Sequence, residues 1–127
     1  MPHYKVIEKG QPGVVGGGVK KYYAGIVYDG EVVVDDLVVS IEKFSALSEP
    51  DIRGVIAALE NVIQNQLADS KIVRLDKLGT FYPTISSEGK DKAEDVSSSA
   101  IKSVGVNYRP GKRIIDAMKS KGFKKVK

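Results

Sequence analysis

The spacing of hydrophobic positions changes near Asp35 and divides the chain into two regions. Before that point the apolar residues form short runs, residues 4–8 and 21–27, which are typical of β-strands. The segment between them, residues 10–18, is rich in glycine and is typical of a flexible loop. Residues 1–34 therefore predict a small, strand-rich N-terminal extension.

The glycine run does not match the known phosphate-binding loops. Such loops lead directly into a helix and, in the Walker type, carry a Lys followed by Ser or Thr, whereas Val19 and Lys20 lead into a predicted strand. Further along, Asp29-Gly30 is a turn signal. It predicts a hairpin between residues 21–27 and 31–34, unless residues 31–34 lead directly into the next helix.

From Asp35 the apolar residues follow a helical period, which predicts a first helix to about Ala46. Ser48, with Pro50 and Asp51 behind it, is typical of a helix start, so a second helix is expected over residues 49–68. Its apolar residues recur at steps of three and four and comprise Ile52, Val55, Ile56, Leu59, Val62, Ile63 and Leu67. So broad a stripe favours burial against a second subunit; the alternative is that the N-terminal extension covers it.

Strand patterns follow the second helix. Residues 72–75 and 80–85 flank a turn and predict a hairpin, in which Pro83 should face an edge or a bulge. Residues 86–103 are mostly polar and predict a loop or protruding arm, followed by a strand at 104–109 and a final helix from about Lys112. The predicted fold is α+β: two helices, a three-stranded antiparallel sheet with an arm, and a C-terminal helix.

The length of 127 residues fits one domain with a small appendage, which we divide into residues 1–34 and 35–127. Formal charge is distributed unevenly, because residues 1–70 carry six Lys/Arg against ten Asp/Glu and residues 71–127 carry fourteen against six. A confined positive field attracts a phosphate backbone. The alternative is that the charge provides solubility and that the basic tail, residues 119–127, is a solvated, mobile end.

The composition argues against several function classes. The chain has no cysteine and no apolar stretch of membrane-spanning length, and no apolar signal segment follows Met1, so we expect an intracellular protein without a membrane segment. The lone imidazole of His3 has no second metal ligand beside it and no nucleophile placed for it. We therefore expect no enzyme activity, no small-molecule substrate, no metal and no cofactor.

Several motifs resemble those of the HU and integration host factor family of bacterial histone-like proteins. Gly79-Thr80-Phe81 after Leu75 is similar to the family's hairpin motif, and Arg109-Pro110-Gly111-Lys112 is similar to the Pro-Gly-Lys motif before its last helix. Residues 21–24 and 85–89 resemble the longer HU-related proteins of the Bacteroidetes in particular. The resemblance to HU itself covers about residues 35–120.

The resemblance implies an intertwined homodimer that binds double-stranded DNA on a saddle formed by its sheets, without strong sequence preference. Basic groups of the saddle, arms and last helix would contact phosphates, and arm tips would wedge into the minor groove. The corresponding positions here are the hairpin residues Arg74, Lys77 and Gly79, the arm residues Lys90, Lys92 and Lys102, and the strand end and helix start formed by Arg109, Pro110, Gly111, Lys112 and Arg113. For Arg109 and Lys112 the alternative is a solvated strand end.

One departure from the family pattern concerns the arm. The family's tip carries Arg-Asn-Pro, whereas residues 86–106 contain neither proline nor arginine and hold four acids against three lysines. A net charge of −1 favours reduced or absent kinking. The resulting hypothesis is a cytoplasmic, nucleoid-associated architectural protein; the alternative is an HU-like interaction module that has lost strong DNA binding.

Overall fold

The computed structural model of the protein describes residues 1–10, 13 and 15–126. Contacts group the chain into two compact units, which we name the terminal unit (Met1–Val33 with Ile115–Lys127) and the middle unit (Val34–Ile114). The sequence-based division into residues 1–34 and 35–127 stays a prediction. The parts of the predicted glycine loop and basic tail formed by Gln11, Pro12, Val14 and Lys127 lie outside the described residues.

The helices follow the predicted order. They are α1 (Val34–Phe44), α2 (Glu49–Ala68) and α3 (Lys112–Ser120). The predicted cap is present at α2, where the Ser48 hydroxyl accepts a hydrogen bond from the Asp51 N–H at 3.4 Å. Arg53 of α2 forms ion pairs with Asp35 of α1 at 2.8 Å and with Glu49 at 3.0 Å, and hydrogen bonds to these two carboxylates raise the pKa of Arg53.

The strands form one sheet in each unit. They are β1 (His3–Lys9), β2 (Lys21–Val27), β3 (Val73–Arg74), β4 (Gly79–Ser87), β5 (Ile101–Pro110) and β6 (Lys124–Lys125). In the terminal unit the strand order is β2-β1-β6, and in the middle unit it is β3-β4-β5. The mixed α+β class is confirmed, as is the predicted order of helices and strands from α1 to α3.

The middle-unit sheet is antiparallel, and its long pair is β4 with β5. Strand β3 pairs only with Thr80 and Phe81 of β4, so Pro83 lies where β4 has a partner on one side in the register. This edge position suits a residue that cannot donate to a ladder, as predicted. The two long strands extend into the predicted arm, which leaves residues 88–100 as the connection, with two short 3-10 turns at 93–95 and 98–100.

The terminal unit decides one open alternative and corrects one expectation. For residues 31–34 the hairpin around Asp29-Gly30 is wrong and the alternative, a direct lead into the next helix, is confirmed: β2 pairs with β1 across the glycine-rich segment, and residues 31–33 lead into α1. The interpretation of the tail as a mobile end is also wrong for residues 124–125, which form β6 parallel to β1. The Lys124 N–H donates to the Pro2 carbonyl at 2.9 Å and the Val126 N–H to the Tyr4 carbonyl at 2.8 Å, so main-chain hydrogen bonds hold this end.

The core of the middle unit is small for the apolar content of its helices. Among the described residues, the fully buried apolar side chains are Val38 of α1, Ile52 of α2 and Ala100. The apolar stripe of α2 is divided, because Ile52 is 2% exposed whereas Val55 is 59% and Val62 is 54% exposed. One side of α2 therefore packs within the unit while the other side meets solvent in the single chain.

Candidate nucleic-acid interface

The middle-unit sheet has two faces of different chemistry. Because side chains alternate along a strand and directly opposed residues share a face, the register assigns each strand residue to one side. Thr80 lies between Arg74 of β3 and Arg109 of β5, and Tyr82 is opposite Asn107. We name this side the polar face; it consists of Arg74, Thr80, Tyr82, Thr84, Asn107 and Arg109.

The opposite side of the same sheet is apolar. It carries Phe81 opposite Tyr108, with ring centroids 5.1 Å apart, and Ile85 opposite Val104. Residues of this side and of the C-terminal half of α2, among them Leu67, line a groove of about 560 Å³. The division follows from the period of two in β4 and β5, which places mainly polar side chains on one side and mainly apolar side chains on the other.

Positive charge on the polar face is not neutralised by acids of the same sheet. The strands β3, β4 and β5 contain no Asp or Glu, whereas Arg74 and Arg109 flank Thr80 directly. The Arg109 guanidinium carbon lies 6.0 Å from the centre of the Tyr82 ring, at the outer limit of a cation–π contact. Both arginines also line a groove of about 500 Å³, together with Thr80 and Tyr82. This arrangement offers planar, permanently charged donors to a phosphate-bearing ligand.

Close backbone packing fixes one end of the sheet. Gly79 adopts a φ of +134°, and a Cβ on it would overlap the carbonyl oxygen of Arg109. A Cβ on Gly111 would overlap the Lys77 carbonyl. Only glycine allows both approaches, so the turn before β4 lies against the end of β5 and the start of α3 at Lys112.

The structure brings together most of the predicted binding residues. Eight of them surround the contact between this turn and the end of β5: Arg74, Lys77, Gly79, Arg109, Pro110, Gly111, Lys112 and Arg113. Their spacing along the chain is large, but the register places Gly79 opposite Pro110. Contact of these residues with DNA stays a prediction.

The three predicted arm lysines lie at the other end of the sheet. Lys102 is seven residues from Arg109 along β5, which corresponds to about 23 Å in a strand, and it falls at a register shift that leaves it without an opposite residue. Lys90 is 3.4 Å from the carboxylate of Glu88, and Lys92 lies in the same connection. These lysines are therefore separate from the arginines of the polar face.

Sequence reasoning missed the uncharged members of the polar face. Thr80 lies between the two arginines, and Tyr82, Thr84 and Asn107 continue the same face along the strands. The signal was present in β4, where polar or hydroxyl-bearing side chains occupy every second position from Thr80. It becomes visible only when the register shows that Arg74 and Arg109 share this side.

Other site chemistry is not apparent in the described residues. Within residues 1–10, 13 and 15–126, no group of three or more His, Cys, Asp or Glu is placed to hold a metal ion. In that same part of the chain, none of the helices combines the length and the apolarity needed to span a bilayer.

Comparisons with known proteins place this α+β architecture in a family. A family model describing an HU domain fused to a wHTH, Ig or glycine-rich motif matches residues 2–125. The chain belongs to this HU-HIG family. No curated protein sequence matches it.

A solved structure shares the fold. It comes from Bacteroides vulgatus and is described as that of a putative bacterial DNA-binding protein, with a TM-score of 0.70 and 11% sequence identity. The match covers 98% of this chain and 48% of the other, so this chain spans about half the length of that neighbour. At this level of identity the likeness concerns the fold alone.

Proposed function

We propose that the protein binds double-stranded DNA through the polar face and the start of α3, with little dependence on base sequence. The observation that carries this proposal is the position of Arg74 and Arg109 on either side of Thr80, on a sheet whose strands contain no acid. Phosphate oxygens are the ligands that guanidinium groups bind in a bidentate manner. Membership of an HU-domain family supports the same assignment.

The chemistry of the face explains why sequence preference should be weak. Arginines, hydroxyls and main-chain N–H groups at a helix start bind phosphates, which are identical at every base pair. Base recognition in the major groove typically uses an inserted helix or ribbon, and the polar face is the flat side of a sheet. Affinity should therefore come mainly from counterion release.

A second copy of the chain is the proposed partner in a homodimer. The exposed side of α2 carries Val55, Leu59 and Val62, which are 59%, 44% and 54% exposed in the single chain. Val104 of the apolar sheet side is 81% exposed, and Phe44 of α1 is 92% exposed. Monomeric proteins rarely leave such extensive apolar surface in water, whereas obligate dimers bury it.

We further propose an architectural, non-enzymatic role at the nucleoid with reduced or absent kinking. Wedge insertion into a base step uses an apolar side chain at an arm tip, and the attraction to a narrow minor groove depends on Arg or Lys. The connection between β4 and β5 contains neither proline nor arginine, and its Lys90 is paired with Glu88. Phosphate binding by the sheet does not depend on this connection.

The test is a binding titration of the full chain against random-sequence duplex at several salt concentrations. The slope of log Kobs against log salt concentration, here called the salt slope, is negative. Arg74→Gln/Arg109→Gln should make it less steep by about 0.9 for each phosphate that the variant no longer neutralises. The matched control, Lys43→Gln/Lys121→Gln, removes the same charge from exposed lysines outside the predicted DNA contacts and should change the slope little. Equal slopes for the wild type and the arginine variant would contradict the proposal.

The acidic content of the connection favours a second candidate function. Residues 88–100 carry Glu88, Asp91, Glu94 and Asp95 against Lys90 and Lys92, which suits a protein partner with a basic surface better than a nucleic acid. In this alternative the protein is an HU-like interaction module. A salt slope near zero for a correctly assembled dimer would favour it over DNA binding.

A further inference from the structure

The charge of the molecule is distributed differently by compact unit than by position in the sequence. The terminal unit has nine Lys against four Asp/Glu, a formal net charge of +5, whereas the middle unit has eleven Lys/Arg against twelve Asp/Glu, a net of −1. The excess positive charge therefore belongs to the unit formed by the two ends of the chain, outside the candidate interface described above.

The sheet of the terminal unit collects lysines from both chain ends on one side. Lys5 and Lys9 share a face of β1 because they are four residues apart, and Lys21 of β2 is directly opposite Lys9. Lys124 of β6 is opposite His3, which lies on the same face of β1. We name this side the terminal basic face; its cations are Lys5, Lys9, Lys21 and Lys124.

No acid of the three strands interrupts this face. In β1, β2 and β6, all of which the structure describes, the sole acid is Glu8, and it lies on the other side of the sheet, opposite Tyr22. The four lysines are exposed, whereas Tyr23 and Ile7, which lies between Lys5 and Lys9 on the same face, are half-buried. The Lys9 ammonium lies 5.0 Å from the centre of the Tyr23 ring, which limits the positions that this group adopts.

Lys9 and Lys21 form a cross-strand pair whose like charges do not stabilise the sheet. Like charges directly opposite each other in an antiparallel pair destabilise the sheet. A polyanion that binds both ammonium groups removes this repulsion. The pair therefore indicates a ligand-binding role more than a structural one.

The dimensions of the face suit a phosphate backbone. Lys5 and Lys9 are separated by four residues of strand, about 13 Å, which corresponds to the rise of about four nucleotides along one DNA strand. A small anion would contact one or two of these lysines, whereas a duplex contacts the row. His3 and Lys124 extend the row beyond Lys5.

We propose that the terminal basic face is a second binding surface for the phosphate backbone of double-stranded DNA. The choice of duplex DNA as the ligand rests on the proposed function of the middle unit, since two surfaces on one chain bind the same polymer with raised effective concentration. The surface itself rests on the four lysines and on the absence of acid from their side of the three strands.

The test compares two full-length variants that lose equal charge from the terminal unit. Lys5→Gln/Lys9→Gln/Lys21→Gln should make the salt slope less steep by up to about 2.7, at about 0.9 for each phosphate that is no longer neutralised. The same variant should bind random duplex about tenfold or more weakly at low salt. The control, Lys119→Gln/Lys121→Gln/Lys125→Gln, removes exposed lysines that lie outside the terminal basic face, and its salt slope should become less steep by less than about 1. Equal losses in the two variants would show that net charge alone matters and would overturn the proposal.

Two further measurements keep the result interpretable. Thermal unfolding should show that the Lys5/Lys9/Lys21 variant is folded with a Tm close to that of the wild type, because relief of the Lys9–Lys21 repulsion offsets the loss of the Lys9–Tyr23 cation–π contact. A marked fall in Tm would contradict this account of the pair. Binding of the wild type and the variant to vesicles containing phosphatidylserine and to duplex RNA is then compared with their binding to duplex DNA. If the variant loses vesicle or RNA binding but keeps its duplex DNA affinity, the proposal of a DNA surface is overturned.

The same titration separates failure of this inference from failure of the proposed function. If Arg74→Gln/Arg109→Gln weakens duplex binding and the Lys5/Lys9/Lys21 variant does not, the result supports the middle-unit surface and overturns the terminal one. The reverse pattern supports the terminal basic face and overturns the polar face. Sensitivity to both variants supports two surfaces.

Discussion

The Tyr108 hydroxyl donates a 2.6 Å hydrogen bond to the carbonyl oxygen of Leu78, thirty residues earlier in the chain. The same oxygen accepts the Gly111 N–H at 3.2 Å. Leu78 lies in the turn between β3 and β4, and Tyr108 and Gly111 lie at the end of β5 and just beyond it. One carbonyl thus holds together the two segments that carry the predicted phosphate ligands Lys77 and Lys112.

Removal of the tyrosine hydroxyl should loosen this junction. Tyr108→Phe is expected to lower the free energy of unfolding by about 1 kcal/mol, the typical net contribution of one such hydrogen bond. Urea denaturation followed by circular dichroism measures the change. Tyr28→Phe is the control, since Tyr28 is 84% exposed, and it should leave the midpoint within error. Equal midpoints for Tyr108→Phe and the wild type would contradict the role of the junction.

Gly111 should not tolerate even a methyl group. The Cβ of Gly111→Ala would overlap the main-chain carbonyl of Lys77, which lies in the turn and has no flexible end to move. We expect a loss of about 2 kcal/mol or more in stability, together with weaker DNA binding. Gly89→Ala provides the matched control, because a Cβ there meets no heavy atom within 4 Å. Similar stabilities for the two variants would show that the turn does not pack as described.

The proposed dimer can be tested on the exposed side of α2. Val62→Glu should dissociate the assembly, since the carboxylate would be desolvated in the subunit interface. Val96→Glu changes a side chain with the same 54% exposure in the connection between β4 and β5 and should leave assembly intact. Molar mass by light scattering at micromolar concentration reports both. A monomeric wild type, or a dimeric Val62→Glu protein, would refute the proposed interface.

The absence of kinking predicts an optical result. A duplex with donor and acceptor dyes at its ends should show little change in energy transfer when the protein saturates it. The reason is that residues 88–100 offer no apolar side chain larger than Val96 for insertion between base pairs. The salt titration on the same duplex establishes saturation. A marked rise in energy transfer at saturation would show that the DNA is bent.

Much of the middle unit could be predicted from the sequence. The capping residues Ser48 and Pro50 predicted the start of α2, and its span of residues 49–68 is confirmed. These signals are local, since a cap and an apolar period act within a few residues. Cross-strand placement of Arg74 and Arg109 on one face could not be predicted, because it depends on the register of three separate strands.

The terminal unit was predicted less well for the same physical reason. The Asp29-Gly30 signal predicted a hairpin as one alternative, but the partner of β2 is β1, which lies on the other side of a glycine-rich segment. Local turn propensity contributes little against seven paired residues. Nothing local in Lys124 and Lys125 indicates pairing with a strand at the opposite end of the chain.

By itself, the sequence determined an α+β protein with a basic C-terminal half, a helix pair with excess apolar surface and motifs of the HU type. The tertiary structure alone decided where the positive charge lies. Strand pairing is non-local, so it joined lysines from both ends of the chain into one acid-free face and set Arg74 and Arg109 on either side of Thr80. Alternation within a strand can be predicted from neighbouring residues, whereas the face that two strands share is determined only when they pair.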